Sequence, residues 1–183
     1  MTKKPIIALT MGDPGGVGPE VILKTLKTFS FDNSCYLVLI GSQSVFDFAS
    51  EQFHRSIHTN PIPTFDPLLM REDAVNLLDI SEEADALYEK ASGKKRKREE
   101  VFDIGKVSLL NGSLAFAAIK VAAFQAACGL IQAVVTAPIH KEAVRLVERD
   151  FIGHTEYLAK IAMAKEFAMC FYSEFFCVTL ATI

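Results

Sequence analysis

The segment 5–26 constrains the fold most, because its pattern predicts a strand, a tight turn and a helix in succession. The apolar run 5–9 leads into a turn rich in glycine, and the amphipathic run 21–26 follows it. Glycine stands at positions 12, 15, 16 and 18. These glycines permit positive φ angles and close approach of main-chain N–H groups to a ligand. Pro19 suits the first helical turn, where its missing N–H costs nothing, and Glu20 is favourable near the positive end of the helix dipole.

The glycine-rich turn matches neither common phosphate-binding motif. The Lys-Ser/Thr pair that closes a Walker loop is missing, and no third glycine stands in the register of the dinucleotide fingerprint. The pattern favours a functional turn facing an anion, with a purely structural turn as the alternative. Asp13, beside two glycines, has two open interpretations, a contact to a metal or ribose and a carboxylate that stabilises the turn.

The composition indicates a globular chain with a substantial core. At 183 residues there is room for one large or two small domains, and half of the residues are hydrophobic. The net charge of −3 argues against disorder and against electrostatic binding of nucleic acid. No apolar run is expected to span a membrane, and the N-terminus lacks the apolar segment of a signal peptide. The cysteines (35, 128, 170 and 177) lie in apolar stretches without CxxC spacing, which predicts reduced core residues and a cytoplasmic protein.

The middle of the chain alternates between strand-like and helix-like segments. Residues 35–40 form a continuous apolar run, typical of a central parallel strand, and Ser42 is placed to cap a helix over 43–53. Prolines in the segment 54–67 predict a connection or a short edge strand. Residues 75–80 predict another short strand, whose partner the sequence leaves open. The polar segment 81–100 contains the basic run 94–98, and for this run we expect a mobile solvated loop.

A second strand–turn–helix unit follows a long apolar helix. Residues 107–129 show helical spacing with few charges, which predicts a buried helix that ends at Gly129. The run 131–137 predicts a central strand, and a helix is expected over 141–149. Ligands of open α/β sheets bind beyond the carboxyl ends of the strands. The two turns after the strands are therefore expected to share one site, with Thr136, His140 and Lys141 at its second turn.

The last part of the chain predicts a helix and a hairpin. Thr155 is expected to cap a helix over 156–164, with His154 exposed on the preceding turn. The segments 167–172 and 175–183 are strand-like, and residues 173–174 are the predicted hairpin turn. Because the sequence stops inside the second of these strands, we expect it to be a fragment of a longer protein.

Two histidines are the strongest candidates for chemistry. His140 and His154 each stand in a turn before a predicted helix, where the local field favours anions, whereas His54 and His58 are interpreted as structural. No local Cys/His spacing predicts a metal site, and the Gly-x-Ser-x-Gly elbow of the α/β-hydrolases is missing.

Four segments together resemble the 4-hydroxythreonine-4-phosphate dehydrogenase family of vitamin B6 biosynthesis. They are Met-Gly-Asp-Pro-Gly-Gly-Val-Gly-Pro-Glu (11–20), Asn-Gly (111–112), Thr-Ala-Pro-Ile-His-Lys (136–141) and Phe-x-Gly-His-Thr-Glu (151–156). The resemblance implies a two-lobed α/β fold like that of the isocitrate and isopropylmalate dehydrogenases, with a mostly parallel sheet flanked by helices. Residues 1–183 would be the N-terminal portion, with the second lobe incomplete. It also implies a homodimer, with NAD as the hydride acceptor.

The implied reaction is the oxidation of 4-phosphooxy-L-threonine, followed by decarboxylation to 3-amino-2-oxopropyl phosphate. The resemblance implies that His154 and Thr155 contact this substrate, that His140 and Lys141 line the same cleft, and that Gly12 and Asp13 contact the cofactor. The family's divalent metal would polarise the alcohol, but its histidine ligands are expected beyond residue 183. We assign no metal ligand within the chain. The alternatives are a sister dehydrogenase for D-threonate or D-erythronate 4-phosphate and a truncated relative without catalysis.

Overall fold

Within the residues that the structure describes, the strands form a parallel sheet and a separate hairpin. The computed structural model describes residues 4–28, 34–97 and 101–181. The strands are β1 (Ile6–Thr10), β2 (Tyr36–Gly41), β3 (Thr59–Pro61), β4 (Val75–Asp79), β5 (Ala133–Thr136), β6 (Cys170–Tyr172) and β7 (Cys177–Thr179). The helices are α1 (Gly18–Thr28), α2 (Gln43–Phe53), α3 (Ser81–Ser92), α4 (Leu109–Ala127), α5 (Lys141–Arg145) and α6 (His154–Ile161), with a 3-10 turn at Pro67–Leu69.

The first five strands pair in the order β3-β4-β2-β1-β5, and all four pairings are parallel. This confirms the predicted α/β class with a parallel sheet flanked by helices. β2 lies at the centre as expected, and Val38, Leu39 and Ile40 are fully buried. The short strand β4 pairs with β2 and with the edge strand β3. The sequence left the pairing partner of this strand open, and the structure identifies β2 and β3.

β5 differs from its predicted place in the sheet. The sequence predicts a central strand, but within the described residues β5 pairs only with β1 and lies at an edge. Val135 is 51% exposed, because the face of β5 on which it lies is left uncovered. A continuous apolar run is typical of a covered strand, yet it does not specify how many neighbours pair with it.

The helix α4 is the main core element against the sheet. It packs on β1, β2 and β5, and also contacts α3, α5 and α6. At 19 residues α4 is long and apolar enough to cross a membrane, which contradicts the expectation that no run reaches that length. Because 67% of its most apolar window is buried inside the protein, its composition is explained by the core it occupies.

The polar segment after β4 contains a helix, α3, that the sequence analysis did not predict. α3 begins after Asp79, whose carboxylate accepts from Ser81 N, and it ends at Ser92, with Gly93 as its C-cap at a φ of 70°. In the basic run, Arg96 bonds to Asp85 on this helix. Its side chain is therefore packed rather than freely solvated, while residues 98–100 lie outside the described residues.

The cysteines are mostly at the surface, contrary to the prediction of core residues. Cys35 is half-buried, whereas Cys128, Cys170 and Cys177 are exposed. Cys128 follows the buried part of α4, and the other two lie on β6 and β7. These strands form the predicted antiparallel hairpin, but it is exposed on both strands. An apolar sequence stretch therefore does not guarantee burial in the described part of the chain.

Gly112 provides a test of how α4 packs. A Cβ at this position would lie 2.0 Å from the backbone oxygen of Ala143 in α5. Alanine in a helix normally stabilises relative to glycine by roughly 0.5–1 kcal/mol. Here the clash should reverse the sign, and we expect Gly112→Ala to lower the free energy of unfolding by about 1–3 kcal/mol in urea titrations.

Gly16→Ala is the matched control. The nearest atoms to a Cβ there would be those of Asp13 at 3.6 Å, which is ordinary van der Waals distance, and the φ of Gly16 is not in the left-handed region. The control should unfold like the parent protein. Equal stability of both variants would contradict the close packing of α4 on α5.

Candidate functional site

The turn after β1 and the turn after β5 meet at one edge of the sheet. β1 and β5 are parallel neighbours, and Thr10 stands in register with Thr136. Both strands therefore end at the same level. The glycine-rich turn follows β1, and the segment 137–140 follows β5. The carboxyl edge of the sheet thus brings together the two segments that the sequence predicted to share a site.

Direct contacts join the two turns. Asp13 N donates to Pro138 O at 2.9 Å, and Ala137 N donates to Thr10 O at 3.3 Å. Gly12 has a φ of 76°, and a Cβ on it would lie only 2.5 Å from the same Pro138 oxygen. Glycine is therefore required at position 12 both for the backbone angle and for the close approach of the second turn.

The far side of the glycine-rich turn packs on the entry to α4. Asn111 is fully buried, and its amide group donates to Asp103 O at 2.6 Å and to Lys106 O at 3.0 Å while accepting from Asp103 N at 2.9 Å. A Cβ on Gly15 would lie 2.2 Å from Asp103 O. The Asn-Gly pair of the sequence motif thus has a structural role that sequence reasoning did not identify: Asn111 fixes the segment beneath the turn.

Asp13 stabilises the turn that contains it. One carboxylate oxygen accepts from Gly15 N at 3.0 Å. Burial raises the pKa of Asp13, while the Gly15 N–H and nearby His140 partly oppose this change. The turn-stabilising interpretation, left open by the sequence, is therefore correct for this hydrogen bond. The contact to a cofactor is not tested by the geometry and stays a prediction.

The second turn presents His140 and Lys141 to solvent. Both residues are exposed, His140 immediately before α5 and Lys141 as its first residue. A Cβ on Gly153 would lie 3.5 Å from Lys141 Nζ and 2.9 Å from Glu156 Oε2. The Lys141 ammonium therefore lies over the backbone that leads into α6. The start of α5 and the start of α6 belong to one cluster.

His154 is placed differently from its prediction. It is the first residue of α6 rather than part of an exposed turn, Gly153 occupies the capping position, and Thr155 lies within the helix. The His154 ring is partly buried and packs edge-on against Phe151 at a centroid distance of 6.5 Å. The apolar contact with Phe151 explains why this ring turns inward.

The electrostatic surroundings of His154 favour a neutral imidazole. Burial lowers the pKa of His154 below its ordinary value of 6.5, and the charge of Lys141 lowers this pKa further. Its Nε2 atom is buried and has no hydrogen-bond partner among the described residues. A neutral ring can offer one nitrogen as donor and the other as acceptor. The cluster therefore places the Lys141 cation beside an imidazole whose buried Nε2 atom is not used by the described residues.

Thr10 is a residue of this edge that sequence reasoning missed. It is the last residue of β1, its side chain is fully buried, and its Oγ1 has no partner among the described residues. In the sequence, the only feature that points to Thr10 is its position at the carboxyl end of the predicted first strand. For metal binding, no group of three or more His, Cys, Asp or Glu side chains converges within residues 4–28, 34–97 and 101–181.

Comparisons with known proteins place this arrangement in a family. The profile described as "Pyridoxal phosphate biosynthetic protein PdxA" matches residues 33–183. The D-threonate 4-phosphate dehydrogenase of Pectobacterium atrosepticum is 33% identical over 92% of this chain and 48% of its own length. The 4-hydroxythreonine-4-phosphate dehydrogenase of Synechocystis sp. is 35% identical over 91% of this chain and 42% of its own.

A solved structure of a similarly named enzyme shares the fold of this chain. The crystal structure of a 4-hydroxythreonine-4-phosphate dehydrogenase from Burkholderia phymatum superposes with a TM-score of 0.77 at 26% identity, covering 97% of this chain and 49% of that protein. The chain thus spans about half the length of the relatives it matches. The sheet and flanking helices of this chain correspond to those of the Burkholderia phymatum enzyme.

The pKa of His154 can be measured by NMR titration of its ring resonances. We expect it below 6.5, and Lys141→Met should raise it part of the way back, because the burial of the ring remains. Between the two pKa values the unfolded state binds more protons than the folded state. The contribution of His154 to stability is therefore present above the unfolded pKa and lost as the pH falls towards the folded value.

Lys160→Met is the matched control, since Lys160 is an exposed lysine in the last turn of the same helix. This variant should leave the titration of His154 unchanged. A His154 pKa at or above 6.5 in the parent protein would contradict the proposed burial and the proximity of Lys141.

Proposed function

Because this chain belongs to the PdxA family, we propose that its protein is a dehydrogenase that oxidises a phosphorylated hydroxy acid. The names of its relatives support this class of substrate, since they specify 4-hydroxythreonine 4-phosphate and D-threonate 4-phosphate. The observation on which the proposal rests most is the cluster of Lys141 and His154. It places a cation beside a neutral imidazole at the carboxyl edge of the sheet.

The substrate contacts follow from the charges in this cluster. Lys141 Nζ would attract an anionic group of the substrate, either phosphate or carboxylate. His154, partly buried beside Lys141, would contact a substrate oxygen, and Thr155 would add its hydroxyl. His140, exposed at the neighbouring turn, would line the same cleft. The lowered pKa of His154 keeps its ring neutral at pH 7, so that its hydrogen bonding does not depend on protonation there.

NAD is the proposed hydride acceptor, with Gly12 and Asp13 as its contacts in this chain. The geometry limits what they offer, because Asp13 N is bonded to Pro138 O and a Cβ on Gly12 would meet the same oxygen. The half-buried Asp13 carboxylate is the remaining candidate group, and a hydroxyl of a ribose is its chemical match. Most of the cofactor site is expected outside this chain.

The divalent metal implied by the resemblance does not fit the described residues of this chain. No cluster of three or more potential ligands is found among them. We therefore derive no step through a metal from these residues and expect its ligands elsewhere in the whole protein. The homodimer is likewise a proposal for the whole protein.

The preferred reaction is the oxidation of 4-phosphooxy-L-threonine and its decarboxylation to 3-amino-2-oxopropyl phosphate. A sister enzyme for D-threonate or D-erythronate 4-phosphate is the alternative, and names of both kinds occur among the relatives. A truncated relative without catalysis is the third possibility.

Removing the His154 ring should weaken substrate binding. We expect His154→Ala to cost roughly 1–3 kcal/mol, or about 5- to 150-fold in Kd, because a hydrogen bond to a charged ligand is lost. Calorimetric titration of the whole protein with 4-phosphooxy-L-threonine measures this. His58→Ala, at an exposed histidine before β3, is the control and should bind normally. Unchanged binding by His154→Ala would remove this residue from the site.

The substrate can be identified by measuring the turnover of each of the three phosphorylated acids by the whole protein. We expect NADH formation with the highest kcat/KM for 4-phosphooxy-L-threonine when NAD and a divalent metal are supplied. A higher value for D-threonate or D-erythronate 4-phosphate would establish the sister activity. No turnover of any of them would support the third possibility and overturn the proposed oxidation.

A further inference from the structure

The exposed hairpin contains two cysteines whose sulfurs are close together. Cys170 Sγ and Cys177 Sγ are 2.9 Å apart on β6 and β7. Both thiols are exposed, and no disulfide joins them. The distance is roughly 0.9 Å longer than an S–S bond, so a small movement of the two strands would allow the bond to form.

The pairing register explains why the thiols meet. Cys170 pairs with Thr179 and Cys177 pairs with Tyr172, which places all four side chains on one face of the hairpin. The two cysteines are therefore diagonal neighbours rather than directly opposite. Diagonal positions are farther apart than opposite ones, and a disulfide between them would be strained. Strained and exposed disulfides are the ones that open again most readily.

The surroundings of the pair favour thiol chemistry over metal binding. Tetrahedral zinc needs more ligands than two thiolates, and no third His, Cys, Asp or Glu joins this pair in the described part of the chain. The hydrogen bond with Cys170 raises the pKa of the Cys177 thiol, so a smaller fraction of this group is thiolate at neutral pH and its attack on a disulfide is slower.

We propose that Cys170 and Cys177 form a reversible dithiol–disulfide site that reacts with low-molecular-weight disulfides such as oxidised glutathione. The thiolate of one cysteine attacks a sulfur of glutathione disulfide, forming a mixed disulfide and releasing one glutathione. The second thiolate then attacks the protein sulfur of that mixed disulfide. The Cys170–Cys177 bond forms, the bond to glutathione breaks, and a second glutathione leaves with a proton. The two protein thiols are oxidised, and one glutathione disulfide is reduced to two thiols.

Mass spectrometry of the whole protein after incubation with oxidised glutathione tests this site. We expect peptide mapping to show a Cys170–Cys177 disulfide without bound glutathione, and excess reduced glutathione to restore both thiols. Cys170→Ser and Cys177→Ser should each retain a glutathione on the remaining cysteine, because the second attack is impossible. The wild-type protein provides the readout even if one of the variants folds poorly.

Cys128→Ser is the matched control, since Cys128 is also exposed but lies at the C-cap of α4, away from the hairpin in sequence. This variant should still form the Cys170–Cys177 disulfide. Separate glutathione adducts on the two cysteines of the wild-type protein, a bond to Cys35 or Cys128, or unreactive thiols would each overturn the proposal.

Discussion

The contact between the glycine-rich turn and the turn after β5 is the interaction on which the rest of the site depends. The hydrogen bond from Asp13 N to Pro138 O joins segments more than a hundred residues apart in sequence. It forms only because β1 and β5 are parallel neighbours in register. Gly12 is needed at the contact, since any side chain there would meet the Pro138 carbonyl. The site is thus a consequence of strand pairing.

The helix α4 connects this turn contact to the rest of the fold through its packing. Asn111 at its start binds the segment beneath the glycine-rich turn, and Gly112 allows α5 to approach the helix backbone. The same helix packs on three strands of the sheet and contacts α6. Lys141 and His154 begin two different short helices, and both helices pack on α4. Their closeness therefore depends on the packing of α4 as well as on their own turns.

Local sequence patterns predicted most of the helices and strands but not which of their faces are buried. The alternation of apolar runs and turn residues indicated β1, β2, β4 and α4, because backbone preference and burial favour the same structure there. The pattern failed at α3, where a polar sequence forms a helix that buries only Ala84. It also failed for Cys170 and Cys177, since an apolar run does not reveal whether anything covers it. Substrate and cofactor contacts came from the resemblance rather than from periodicity.

Local backbone and burial preferences specify the parallel α/β class, the glycine-rich turn and the residue types available for chemistry, so these features could be predicted from the amino-acid sequence. Which of these residues meet depends on how the elements pack in three dimensions. Packing between α4, α5 and α6 turns the His154 ring inward, leaves its Nε2 atom without a partner among the described residues and places the Lys141 charge beside it. The pairing of Cys170 with Cys177 likewise depends on the register of a hairpin. Contacts between distant segments are set by three-dimensional packing, and no local pattern specifies them.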